Sequence, residues 1–188
     1  MNDNFEIATF ANGCFWCSEA IFKRLKGVKS VLPGYSGGIV KNPSYEQVCT
    51  GKTGYAESIQ IEFDPKVIPF ERILDVFWHT HDPTTLNRQG NDVGTQYRSA
   101  IFYHDQRQKE IAEKSKKELE KEGIYKDSIV TEITPFSNFY AAEDYHKNYY
   151  DNNQDAPYCN FIIDPKVSKL LLKYGNDVKE EYQLKSMR

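Results

Sequence analysis

The chain has 188 residues, enough for one domain with a substantial hydrophobic core and short for two. Apolar residues make up 39% and charged residues 27%, which excludes a disordered or fibrous chain. A formal net charge of -3 leaves no basic field for nucleic acid or an anionic membrane surface.

Met1 to Glu6 carries two acidic residues and no apolar stretch of signal-peptide type, and no segment approaches the ~18 apolar residues of a membrane span. A cytoplasmic location is expected, with the four cysteines held as thiols for catalysis or metal binding. Phe5 to Ala11 reads as a strand ending at Asn12-Gly13. A helix then begins at Cys14 and runs to Lys26, with Ala20, Ile21 and Leu25 inward and Gly27 as its left-handed stop. Val28 to Leu32 returns as a strand before the loop Pro33-Gly34-Tyr35-Ser36-Gly37-Gly38. Glu57 to Phe63 alternates, with Ile59, Ile61 and Phe63 on one face and Ser58, Gln60 and Glu62 on the other. Phe70, Ile73, Leu74, Phe77 and Trp78 fall at helical spacing after Pro69. Arg98 to Tyr103 reads as a strand and Asp105 to Glu122 as a helix, whose Lys109–Lys121 run alternates with Glu as a solvated face. Ser128 to Thr134 is a further strand, and short helices near Ala141–Tyr150 and Lys166–Tyr174 close the chain. No repeat, low-complexity tract or linker divides it, so residues 1–188 read as a single α+β domain. The glycines fit neither dinucleotide nor phosphate-loop spacing.

Gly13-Cys14-Phe15-Trp16-Cys17 is the most informative stretch. A cysteine in the first turn of a helix meets free N–H groups and the positive dipole end, which favour the nucleophilic thiolate. Gly13 tolerates a tight strand-to-helix turn and leaves room for another molecule at the sulfur, while Phe15 and Trp16 offer aromatic surface to a methyl-bearing or thioether-like substrate. The bland alternative is a buried inert cysteine beside two core aromatics. Cys17 completes a Cys-x-x-Cys spacing, open to three readings: a cycling dithiol, half of a zinc site with Cys49, His79 or His81, or an incidental cysteine. Zinc is the weakest, because no second Cys-x-x-Cys or spaced His pair completes the ligands.

Glu57 shares the phase of Ile59, Ile61 and Phe63, so it points to the core side, where desolvation favours the neutral acid. Such an acid can donate a hydrogen bond to a polar oxygen and then its proton. Were the strand to start at Ser58, Glu57 would instead stand in solvent beside Tyr55. Asn87 to Arg98 is a polar, Gly-punctuated loop of a length that is often functional; Asp92 could orient a tyrosine or water there, and Tyr97 could donate its hydroxyl.

Together these pieces resemble the methionine sulfoxide reductase A family, which is specific for the S epimer. The likeness rests on Gly13-Cys14-Phe15-Trp16, Gly34-Tyr35-Ser36-Gly37-Gly38, Asn42-Pro43-Ser44-Tyr45 and Gly54-Tyr55-Ala56-Glu57. It continues in His81-Asp82-Pro83-Thr84, the run Gln89 to Ser99, Ala142 to Lys147, and Tyr158-Cys159. The resemblance implies an α+β two-layer sandwich related to the ferredoxin-like plait, with a mixed sheet, flanking helices and a loop-rich C-terminal tail. It implies that Cys14 attacks the sulfoxide sulfur and becomes a sulfenic acid. Tyr45, Glu57 and Tyr97 would bind and protonate the oxygen with support from Asp92, and Phe15 and Trp16 would hold the methyl group. No cofactor or metal is implied as bound; the reductant would be thioredoxin or another dithiol. The substrate would be methionine sulfoxide, free or in oxidised proteins, and nothing demands an oligomer. A resolving thiol must follow. The resemblance favours Cys159, the match to a tail cysteine carried on a mobile segment. Cys17, which replaces a glycine of most members, is the rival or a relay. Tyr55 stands where many relatives have His, no cysteine follows Cys159, and Cys49 reads as structural. Two rivals remain: a disulfide oxidoreductase built on Cys14 and Cys17, and a redox-sensing or zinc-binding module.

Overall fold

Strand β1 (Glu6–Asn12) runs through the middle of a six-stranded sheet in the computed structural model, which describes residues 5–183. The first four residues of the acidic N-terminal stretch lie outside the described part. After β1 come α1 (Phe15–Phe22), β2 (Val28–Ser36), α2 (Tyr45–Cys49), β3 (Ala56–Phe63) and α3 (Phe70–Thr80). A two-residue hairpin, β4 (Arg88–Gln89) with β5 (Asp92–Val93), precedes β6 (Ser99–Tyr103) and the long α4 (Gln106–Glu122). Edge strands β7 (Glu132–Pro135) and β8 (Phe139–Ala141) follow, then α5 (Tyr149–Asn152), α6 (Asp164–Tyr174) and α7 (Glu180–Gln183).

The sheet order is β7-β6-β1-β3-β2-β8, antiparallel throughout except for the parallel pair β6 and β7. Alternation decides which face is buried beneath the helices. Ala8 and Phe10 of β1, Ile59, Ile61 and Phe63 of β3, and Ile101 of β6 meet Phe22 of α1 and Phe70, Ile73 and Phe77 of α3 in one core. The Phe10 ring lies 5.0 Å from Phe77 and 5.9 Å from Phe22. Each ring so buried contributes about 1.5–3 kcal/mol. Glu57 shares the phase of Ile59 and Ile61, so the same alternation that builds the core carries a carboxyl under α1.

Several expectations are corrected. Helix α1 ends at Phe22 rather than Lys26, because the next residues pair with the chain's far end. Lys26 N–H donates to the Asp177 carbonyl, Lys179 N–H to that of Arg24, and Leu25 forms a bridge with Val178. Strand β2 continues through Pro33 to Ser36, where a loop was expected. Gly34 is there for a sheet reason: a Cβ would stand 2.4 Å from the Phe139 ring and the Tyr140 carbonyl oxygen of β8. Strand β7 starts at Glu132 rather than Ser128, since Val130 N–H bonds to Pro83 and the Thr131 carbonyl to Lys116. The C-terminal region is not loop-rich: α5, a wide π turn over Cys159–Ile163, α6 and α7 occupy much of it. Among the described residues no helix is long and apolar enough to cross a membrane.

Candidate active site

Strand β1 delivers Asn12 and Gly13 to the end of the sheet, and α1 begins one residue beyond Cys14. Cys14 is therefore the N-cap, not a first-turn residue; its carbonyl accepts the N–H groups of Cys17 at 3.1 Å and Ser18 at 3.3 Å. Gly13 has φ +90°, and a Cβ on it would lie 2.6 Å from Gln89 Cγ. Both amide atoms of Gln89 are tied to the Asp82 backbone, at 3.0 and 3.1 Å. The missing side chain thus makes room for the β4–β5 hairpin, not for an approaching molecule. Gly13→Ala is expected to destabilise the protein by about 2–4 kcal/mol, from left-handed strain and overpacking combined. A shift in urea midpoint reads this directly; an unchanged midpoint would rule it out.

Cys14, Phe15, Trp16, Tyr45, Glu57, Asp92 and Tyr97, all singled out from the sequence, line one cavity of about 50 Å³, together with Tyr158. Five separate stretches of chain contribute to it. The strand begins at Ala56, so Glu57 is not frayed; it is 2% exposed, and its Oε2 accepts the Phe15 N–H at 3.1 Å. Burial pushes its pKa up to about 8 against the pull of that N–H, with the negative charges of Asp92 and Cys17 adding to the rise. At neutral pH Glu57 is a neutral acid facing the cavity.

Tyr45 is held at the start of α2, where Ser44 and Gln47 form a capping box. Its N–H donates to Glu143 Oε1 at 3.0 Å, and the Tyr35 hydroxyl donates to Oε2 at 2.7 Å. Burial raises the Glu143 pKa, but these donors prevail and hold its carboxylate below the usual range. Tyr97 ends a short 3-10 turn, Thr95–Tyr97, at the close of the polar loop. Burial first, and the Glu57 charge second, raise the pKa of both Tyr45 and Tyr97, so each presents a hydroxyl donor.

The sequence reading missed the tasks of three aromatics. The Tyr158 hydroxyl donates to Asp92 Oδ2 at 2.9 Å and lies 3.9 Å from Cys17 Sγ. Trp16 stacks on Tyr149 at 3.7 Å, and its indole N–H donates to His146 Nδ1 at 3.1 Å. Tyr158 and His146 stood inside recognised motifs without a role, and Tyr149 had as its only signal the general density of tyrosines.

The thiols differ from expectation in one respect. Burial, then the neighbouring Cys17, pushes the Cys14 thiol well up, whereas Cys17 is drawn down to about 7, chiefly by a hydrogen bond from Cys14 against burial, with Lys166 helping. Both thiols are buried and hydrogen-bonded to each other, so they titrate as a pair, and burial works against the helix dipole at Cys14. Cys159 opens the π turn, is fully buried, and shares an apolar cluster with Cys14, Cys17, Ala20, Ile163 and Val167. It is packed rather than carried on a loose tail. Cys49 is exposed, one turn along α2 from Tyr45 and hydrogen-bonded to its side chain, so it is no core residue. His81 spends Nδ1 on the Phe77 carbonyl and Nε2 on Ser99, at 2.7 and 2.8 Å, and His79 Nδ1 lies 2.8 Å from the Asp75 carbonyl. Among the described residues no three His, Cys, Asp or Glu side chains are grouped to hold a metal. Tyr55 points away, donating to the Val40 carbonyl at 2.7 Å.

A buried dithiol opposed by a neutral carboxyl and two tyrosine hydroxyls, on this α+β frame, defines a thiol-dependent oxidoreductase. The family model described as peptide methionine sulfoxide reductase matches residues 6–179. The chain belongs to the peptide methionine sulfoxide reductase A family. It is 57% identical over 169 residues to a peptide methionine sulfoxide reductase MsrA of Sulfolobus acidocaldarius, covering 90% of this chain and 95% of the relative. The structure is similar to Mxr1 from Saccharomyces cerevisiae in reduced form, with TM-score 0.78, 36% identity, and 85% and 91% of the two chains covered. It is also similar to Mxr1 in complex with Trx2, with TM-score 0.57, 26% identity and coverages of 79% and 87%.

Proposed function

We propose that this chain reduces methionine S-sulfoxide, free and in proteins, to methionine, and so repairs oxidative damage. The observation that carries the reading is a neutral Glu57 sharing with Cys14 a cavity that also holds Tyr45 and Tyr97. Sulfoxide oxygen is a strong acceptor, and it leaves sulfur only when protonated. Cys17 takes the Cys14 proton as substrate arrives, and the Cys14 thiolate attacks the sulfoxide sulfur. Tyr45 and Tyr97 hold the oxygen, Glu57 gives it a proton, and oxygen passes to Cys14 as a sulfenic acid while methionine leaves. Phe15 and Trp16 hold the methyl group. Fixing methyl, oxygen and attacking sulfur in three places admits one configuration at sulfur, the basis for selecting one epimer. Asp92 acts by positioning Tyr158.

Cys17 then attacks the Cys14 sulfenic acid; an S–S bond forms, and the proton that Cys17 took from Cys14 leaves with the hydroxide as water. Cys159 attacks the Cys17 sulfur of that bridge, releasing Cys14 with the Cys159 proton as a thiol and leaving a Cys17–Cys159 disulfide, which thioredoxin reduces, the class of partner suggested by the Trx2 complex of Mxr1. The four free thiols suit the cytoplasm. We further propose that residues 1–188 act as a single-domain monomer without bound cofactor. The antiparallel order β6-β1-β3-β2, with α1 and α3 as crossovers, supports kinship with the ferredoxin-like plait.

A single turnover without reductant, on peptides carrying S- or R-sulfoxide, tests this reading. The S peptide alone should yield methionine. In Cys159→Ser the bridge should join Cys14 to Cys17; in Cys17→Ser the sulfenic acid should persist long enough for a sulfenate-trapping diketone to capture it. Rapid Cys14–Cys159 bridging in Cys17→Ser would mean that Cys159 resolves directly. Protein-disulfide reduction with no sulfoxide turnover would restore the dithiol oxidoreductase, which leaves Glu57 and both tyrosines without a task.

A further inference from the structure

A cavity of about 50 Å³ has room for little more than a methyl and a sulfinyl group, since one water occupies about 30 Å³. The remainder of any polypeptide substrate must therefore rest on the surface outside. A groove of about 650 Å³ adjoins the cavity, between the tip of the β4–β5 hairpin and the segment from Pro157 to Lys166. Asp92 and Tyr158 line both spaces, so the groove lies directly beside the catalytic cavity. Pro157, Phe161, Ile162 and Pro165 give it apolar walls. Phe161, on this wall, is 78% exposed. Large apolar side chains left in water at the rim of a concavity mark an interaction surface.

We propose that this groove binds the stretch of polypeptide flanking the oxidised methionine, through apolar side chains of that stretch. The inference rests on the sulfoxide reductase function proposed above. Methionine is mostly a buried residue, so the segments that carry it contribute apolar side chains to the core beside it. Oxidation makes its side chain polar and disrupts the core that held it, which brings such segments to the surface. The enzyme thus meets its substrate as an exposed apolar segment, the chemistry that Phe161 and Ile162 match. Free methionine sulfoxide places the same methyl and sulfinyl groups in the cavity and has no flanking residues to lay in the groove.

Steady-state kinetics on the full chain and on Phe161→Ser tests this, with dithiothreitol as reductant. Three substrates are compared: free methionine S-sulfoxide, a pentapeptide with leucines flanking the S-sulfoxide, and one with serines there. The wild type should favour the leucine peptide over the serine peptide. Phe161→Ser should raise KM for the leucine peptide about fivefold or more, leaving kcat and turnover of the free amino acid unchanged. Equal KM values for both peptides in the wild type, or an unchanged KM in the variant, would overturn the groove. So would a defect that appears only when thioredoxin replaces dithiothreitol, which would assign the groove to the reductant. Wild-type protein that turns over none of the three substrates would instead overturn the proposed function itself.

Discussion

Cys14→Ser is expected to abolish turnover of methionine S-sulfoxide, by about four orders of magnitude or more, while the protein remains folded. The sulfur is the one nucleophile proposed to attack the substrate and the acceptor of its oxygen. Serine at the N-cap of α1 keeps the local backbone geometry, since Cys14 makes its helix contacts through its carbonyl. A serine hydroxyl lacks a thiol's acidity and the soft sulfur's affinity for another sulfur. The measurement is methionine released per chain in a single turnover, beside circular dichroism to verify the fold. Substantial turnover by a folded Cys14→Ser protein would remove Cys14 from the chemistry and transfer the nucleophile's role to Cys17.

Glu57→Gln carries the second-largest expected effect, a fall of about 10²- to 10⁴-fold in the sulfoxide-reducing step, the usual worth of a positioned general acid. Glutamine preserves the shape and the carbonyl that accepts the Phe15 N–H, so the loss reports the proton and not the packing. In the wild type the rate should fall as pH rises through about 8, where Glu57 ionises. That falling limb should vanish in Glu57→Gln. The same residue sets a stability profile. Its folded pKa, about 8, lies above the ordinary 4.5, so its neutral form is favourable in the folded state below that ordinary value. Between about 4.5 and about 8 the unfolded chain gives up a proton that the folded chain keeps, and stability declines with rising pH. Wild-type urea midpoints should therefore drop from pH 5 to pH 8 relative to those of Glu57→Gln. Parallel midpoints across that range would show that Glu57 is ionised in the fold.

Glu57 was legible because a carboxyl in phase with Ile59, Ile61 and Phe63 violates the alternation that the rest of β3 obeys. Cys14 was legible because a glycine and a cysteine stand at a strand-to-helix joint. Helix α2, which presents Tyr45, was readable in principle from the Ser44–Gln47 capping box. The continuation of β2 through Pro33 and Gly34 was not, since the demand for a glycine there comes from Phe139 and Tyr140, far along the chain. Nor was the environment of the two thiols. Local sequence places Cys14 at a helix start, but its burial and the charge of Lys166 beside Cys17 come from the C-terminal segment folding over α1. Strand alternation and helix capping are thus local, while glycine demand and proton affinity are set by whatever packs on top.

Tyr158 and Cys159 are consecutive, one bonded to Asp92 in the cavity wall and the other sealed in the cluster behind it. Consecutive Cα atoms are tethered about 3.8 Å apart, so neither residue travels without the other. In the proposed relay, an opening that hands the Cys159 disulfide to an external dithiol would also pull on Tyr158 and its bond to Asp92 in the wall of the chamber. The two half-reactions are then mutually exclusive in time. On that relay the chain would work as a turnstile, accepting oxygen with its wall closed and electrons with its wall open, and double-reciprocal plots at varied reductant should run parallel.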